Sequence, residues 1–119
     1  MRTLFQTIKQ QFLEGNDLVL ASITASSGST PRGAGSRMLI GKSGRIAGTI
    51  GGGAVEYRAE LMAQDILEKK ESCEHEFRLN RKDVENIGMI CGGDVTVFFQ
   101  YLDHNDPVIS EITETAAKS

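Results

Sequence analysis

The chain has 119 residues, enough for one hydrophobic core and too few for two. Hydrophobic residues make up 39% and charged residues 24%, which is ordinary for a soluble globular domain. The net charge of -3 and a pI near 5.4 argue against nonspecific nucleic-acid binding, and every apolar run is too short to cross a bilayer.

Met1-Arg2-Thr3 leads into a mixed polar and apolar segment unlike a secretory signal, so a cytoplasmic location is expected. Residues 3–14 then read as an amphipathic helix, because Leu4, Phe5, Ile8 and Phe12 recur at helical spacing and Gly15-Asn16 supplies a stop. Residues 17–25 read as a strand with Val19, Ala21 and Ile23 on one side, and residues 26–35 as a loop. Segments 37–40 and 45–50 form a hairpin around Gly41-Lys42-Ser43-Gly44. After Gly51-Gly52-Gly53, the residues Val55, Ala59, Met62, Ala63 and Ile66 mark one face of a helix running to about Lys70.

Cys73, His75, Phe77 and Leu79 alternate with charged residues, so 73–79 reads as a half-buried strand with Cys73 and His75 on its inward face. Residues 80–93 are irregular, and 94–102 is a last strand with Val95, Val97, Phe99 and Tyr101 on one face. The expected fold is a single α+β domain: a mostly antiparallel sheet of four to six strands, with an N-terminal helix and one long central helix packed on one face. It occupies residues 1–103, and residues 104–119 form a tail, either a short helix or disordered.

Nine of the 13 glycines lie between Gly28 and Gly53. That stretch has no Asp or Glu but contains Arg32, Arg37, Lys42 and Arg45, so it carries +4 and the remainder -7 against the total of -3. Glycine-freed backbone N–H groups and guanidinium donors can hold an anion such as phosphate, and the triple glycine precedes a helix whose dipole favours negative charge. The alternative is a hairpin with solvated basic residues. Neither familiar phosphate motif applies: Gly35 and Gly41 are separated by one residue too many for a P-loop, and Glu56 stands where a dinucleotide fingerprint needs glycine. Glu56 either complements the helix N-terminus or touches a ligand held by the glycine loop.

Cys73 and Cys91 form no C-x-x-C pair and are expected as free thiols. Cys91, beside Gly92 and Gly93, is open to close approach, and thiolates bind soft metals or accept sulfur; the alternative is a small buried hydrophobe. Cys73 and His75 are expected in the core. His104 has no ligand partner at useful sequence spacing.

Four segments in order, Gly28-Ser29-Thr30-Pro31-Arg32, Arg37-Met38-Leu39-Ile40, Gly48-Thr49-Ile50-Gly51-Gly52-Gly53 with Glu56, and Gly88-Met89-Ile90-Cys91-Gly92-Gly93, resemble the N-terminal domain of the XdhC/CoxI family over roughly Leu18 to Leu102. The resemblance implies a cytoplasmic accessory protein, not an enzyme that turns over a substrate. Such a protein binds molybdenum cofactor (molybdopterin) transiently, protects it, supports its sulfuration by a cysteine desulfurase, and delivers it to the apo-enzyme of a molybdenum hydroxylase such as xanthine dehydrogenase. It implies a cofactor-binding set of Ser29, Thr30, Arg32, Arg37, Gly51, Gly52, Gly53, Glu56, Cys91, Gly92 and Gly93, with Arg32 and the glycine loop at the phosphate and Cys91 as the metal-facing thiol.

Many family members continue into a Rossmann-like domain that is missing here by Ser119, so either a separate Rossmann subunit is a partner or the domain works alone. Two other readings stay open: a half-site or oligomerisation module, and a sulfur-transfer enzyme using Cys91. A homodimer is compatible with all three, because an open sheet edge tends to be covered.

Overall fold

In the computed structural model, which describes residues 3–26, 35–51, 53–79, 93–109, 111 and 115, the chain opens on helix α1 (Leu4–Leu13). The Thr3 hydroxyl accepts from the Gln6 backbone N–H at 3.1 Å, and the Gln6 side chain accepts from the Thr3 N–H at 2.9 Å. This reciprocal capping box satisfies donors that a helix start leaves open.

Five strands follow: β1 (Leu18–Ser26), β2 (Arg37–Gly41), β3 (Gly44–Gly48), β4 (Cys73–Leu79) and β5 (Gly93–Leu102). Helix α2 (Gly53–Lys69) lies between β3 and β4. The strands form one sheet in the order β3-β2-β1-β5-β4, with every neighbouring pair antiparallel. The expected α+β class, hairpin and two helices are therefore present. Among the described residues, no helix is long and apolar enough to cross a membrane.

The helices take opposite faces of the sheet, not one. Val19, Ala21 and Ile23 of β1 join Met38, Ile40, Val97 and Phe99 under the α2 residues Val55, Ala59, Ala63 and Ile66. Leu18 and Leu20 join Leu39, Leu102 and Ile8 of α1 on the other side. Alternate strand residues point to opposite faces, so both sets of β1 side chains are buried. Leu18-Val19-Leu20-Ala21 is a continuous apolar run, the pattern of a strand covered on both sides.

Strand β4 departs from expectation. Its register pairs Cys73 with Phe99, His75 with Val97 and Phe77 with Val95, so these residues do share the α2 side. Yet Cys73 and His75 are exposed and only Phe77 is buried. β4 is an edge strand, and α2 lies mainly over β1, β2 and β5. Alternation sets the direction of these side chains but does not bury them. The His75 ring meets the Phe77 ring edge-on, with centroids 4.6 Å apart. Partial desolvation by its neighbours, aided by Asp65 and opposed by Lys69, raises the exposed Cys73 thiol above its ordinary value, which keeps it protonated and poorly nucleophilic at neutral pH.

At Gly48 the backbone has φ +75, and a Cβ there would lie 2.2 Å from the Arg37 carbonyl oxygen. Both backbone conformation and space exclude a side chain. Gly48→Ala is expected to cost at least about 2 kcal/mol, read as a lower urea midpoint at unchanged slope.

Candidate functional site

The strand register sorts the chain into two ends. Ser22 opposite Arg37, Ser26 opposite Val95, Met38 opposite Gly48 and Leu79 opposite Gly93 place these strand termini at one end of the sheet. Helix α2 also starts there, at Gly53. The opposite end holds the tight β2–β3 link, with Gly41 opposite Gly44, and the Leu18–Leu102 pair. Segments 27–34 and 80–92 thus leave and rejoin the described fold at the same end as the Gly48–Gly53 turn.

That turn is held by one carboxylate. Glu56 Oε1 accepts from the Thr49 hydroxyl and from the Ile50 N–H at 3.2 Å. The Gly51 N–H in turn donates to Thr49 Oγ1 at 3.1 Å. Arg45 braces the same turn: its Nη1 donates to the Gly48 carbonyl at 2.8 Å, and its Nε lies 4.0 Å from Glu56 Oε2. Its backbone N–H donates to Glu60 Oε1 at 3.0 Å, tying β3 to α2. Gly51, at φ +117, has no atom of the described residues within 4 Å of where a Cβ would stand, so none of them bars a close approach to its backbone.

The sequence profile of the XdhC and CoxI family matches residues 12–78, more than half of the chain. The chain belongs to the XdhC and CoxI family. It is also 41% identical over 80 residues to the uncharacterized protein YqeB of Escherichia coli K12, a match covering 66% of this chain and 14% of that protein. Its fold is similar to part of a xanthine dehydrogenase from Bacillus halodurans, with a TM-score of 0.73 and 18% identity over 99% of this chain and 34% of the other. The chain therefore spans a small part of YqeB and about a third of the structural neighbour.

Of the residues implied by the XdhC/CoxI pattern, Arg37, Gly51, Gly53, Glu56 and Gly93 lie at this one end. Arg37 is exposed at the start of β2. Ser29, Thr30, Arg32, Gly52, Cys91 and Gly92 fall outside the described residues. The four basic residues of the glycine-rich stretch do not act as one group. Lys42 sits in the β2–β3 link at the opposite end, and the Arg45 side chain is committed to Gly48 and Glu56. Arg45 and Thr49 are the residues that sequence reasoning missed as builders of the turn. Their spacing from Glu56 carries the signal only once a hairpin is known to return beside the helix start.

A second cluster lies at the other end. Asp17, just before β1, accepts from the Tyr101 hydroxyl at 2.6 Å and from the His104 backbone N–H at 3.0 Å, and its Oδ1 faces His104 Nδ1 at 2.5 Å. Sequence spacing gives no hint of this pairing, since 87 positions separate Asp17 from His104. Burial by itself would raise the Asp17 carboxyl, but the Tyr101 and His104 hydrogen bonds and the His104 charge outweigh it and hold the pKa below its ordinary value. Burial and the adjoining carboxylate push the Tyr101 phenol upward, so it remains a donor at neutral pH.

A carboxyl with a depressed folded-state pKa stabilises the fold above its ordinary value near 3.9, and loses that effect as pH falls through the folded value. Asp17→Ala is expected to cost about 1–3 kcal/mol at neutral pH. In urea titrations from about pH 7 down to about pH 2, the gap to wild type should narrow below about pH 4. A gap that stays constant across that range would contradict an ionised Asp17 as the organising group.

Proposed function

We propose that this domain takes part in maturing a molybdenum hydroxylase by holding molybdenum cofactor transiently and passing it to the apo-enzyme. Family membership supports this, and so does a fold shared with part of a protein described as a xanthine dehydrogenase. The observation that carries the reading is convergence: the strand ends that flank three glycine-rich segments, separated in sequence, lie at one end of the sheet beside the start of α2.

The described residues fit an anionic group. Arg37 is an exposed cation at this end, and none of the described residues bars approach to the Gly51 backbone. The first N–H groups of α2 lack intrahelical partners and sit at the positive end of its dipole. In this reading Arg37, Gly51, Gly52 and Gly53 meet the phosphate together with Ser29, Thr30 and Arg32. Cys91, flanked by Gly92 and Gly93, meets the molybdenum side, because thiolate suits a soft metal. The cofactor supplies the redox chemistry of the client enzyme; this chain binds, orients and releases it.

Glu56 acts here as a positioning residue that holds Thr49 and Ile50 and so sets the path of the glycine turn. Its negative charge in the first turn of α2 also opposes an anion at the same helix end, and Arg45 offsets only part of that. Moderate affinity follows, which suits a carrier that must let go. The client apo-enzyme, a cysteine desulfurase that sulfurates the cofactor, and a second copy pairing along an edge strand are the partners this reading expects. A second reading has the domain supply one wall of a site completed by a Rossmann-domain subunit. The exposure of Arg37 at this end, open to a facing surface, favours it.

The test is anaerobic titration of the purified chain with molybdenum cofactor, followed by co-elution. Stoichiometric binding by wild type, weakened about tenfold or more in Arg37→Ala and in Cys91→Ala, is the expected result. Binding only after a Rossmann-domain partner is added would establish the half-site reading. No binding under either condition would overturn both.

A further inference from the structure

At the end of the sheet opposite the glycine turn, the α1–β1 link, the β2–β3 link and the second half of α2 enclose an open cavity of about 810 Å³. Asn16, Asp17, Lys42, Gln64, Asp65 and Glu68 line it. The volume falls within the range of about 300–1,000 Å³ common for small-molecule sites. Most of the side chains around it end in polar groups, although apolar atoms supply the larger part of its surface, and the state of those polar groups indicates what it takes.

Hydrogen bonds within the fold bias the cavity toward acceptors. Asn16 commits an N–H to Gln11 Oε1 at 2.9 Å, and Gln64 commits an N–H to the Gly41 carbonyl at 2.9 Å. Each amide therefore keeps its carbonyl oxygen available. Asp17 Oδ2 accepts from Tyr101 and retains a further lone pair. Asp65 pairs with Lys69 at 3.0 Å, whereas Glu68 is an exposed carboxylate on the same helix. With Asp65 committed to Lys69, the lining sets two carboxylates, Asp17 and Glu68, against one ammonium, Lys42.

We propose that this cavity binds a small organic cation with several N–H donors, a guanidinium or a primary ammonium. Such a group can donate to Asn16, Gln64 and Asp17 while its charge is met by Glu68 and Asp17. The inference is independent of the cofactor reading, because it uses the other end of the sheet and none of the family's glycine segments. Asp17 also anchors His104, so occupancy of the cavity is felt where the chain leaves β5.

Agmatine is the probe, titrated into the full chain and followed by backbone amide NMR shifts. Saturable shifts at residues 16–17 and 64–68 are expected, with affinity falling about tenfold in Glu68→Lys and falling further with added salt. Glu74→Lys, an exposed position on β4, makes the same change in net charge away from the cavity and should bind as wild type. A blocked Gly-Arg-Gly tripeptide presents the same guanidinium from a protein-like source and should bind more weakly than agmatine. The proposal is overturned by a lack of saturation, by equal weakening in Glu74→Lys, or by tighter binding of the tripeptide.

Discussion

Burial of β1 on both faces is the constraint on which the rest of the molecule depends. Leu18 and Leu20 seat α1 on one side while Val19, Ala21 and Ile23 seat α2 on the other, and the strand's two edges pair with β2 and β5. A central strand buried on both faces over Leu18–Ala21 cannot slip by one residue without exchanging its two sets of side chains between different cores. Its register is therefore fixed, and through it the positions of Arg37, Gly48 and Gly93 at one end of the sheet.

An antiparallel sheet sends successive links to alternate ends, and here the division of labour is sharp. One end carries short connections such as Lys42-Ser43, and at the other lie the strand ends from which the long glycine-rich segments depart. Binding residues commonly sit on loops positioned by a rigid scaffold, because loops can approach a ligand while the scaffold holds their ends. Within the described residues, the best-defined part of that end is the Thr49–Gly51 turn. Glu56 and Arg45 build it through charge-assisted hydrogen bonds that do not require the ligand to be present.

Much of the fold was legible from periodicity. The period of two in residues 73–79 and 95–101, and the helical period from Val55 to Ile66, correspond to β4, β5 and α2 almost residue for residue. The Thr3–Gln6 capping box, three positions apart, went unread. What periodicity does not encode is coverage. It placed Cys73 and His75 on the inward side of β4, yet among the described residues both are exposed on that edge strand. It likewise could not tell that the two helices take different faces, since each amphipathic stripe needs an apolar partner without specifying which. At the site, local composition grouped Lys42 with Arg37, but the hairpin carries them to opposite ends of the sheet. The Asp17–His104 contact joins the first strand to the last, and long-range pairs of that kind emerge only from the register.

Cofactor handling, as we propose it, resides at the glycine-rich end. Amide hydrogen exchange of the chain with and without molybdenum cofactor, read peptide by peptide under anaerobic conditions, addresses it most directly. Slowed exchange confined to segments 26–37, 48–56 and 79–93 is the predicted result. Unchanged exchange there, or protection found only around residues 15–17 and 64–68, would contradict the account.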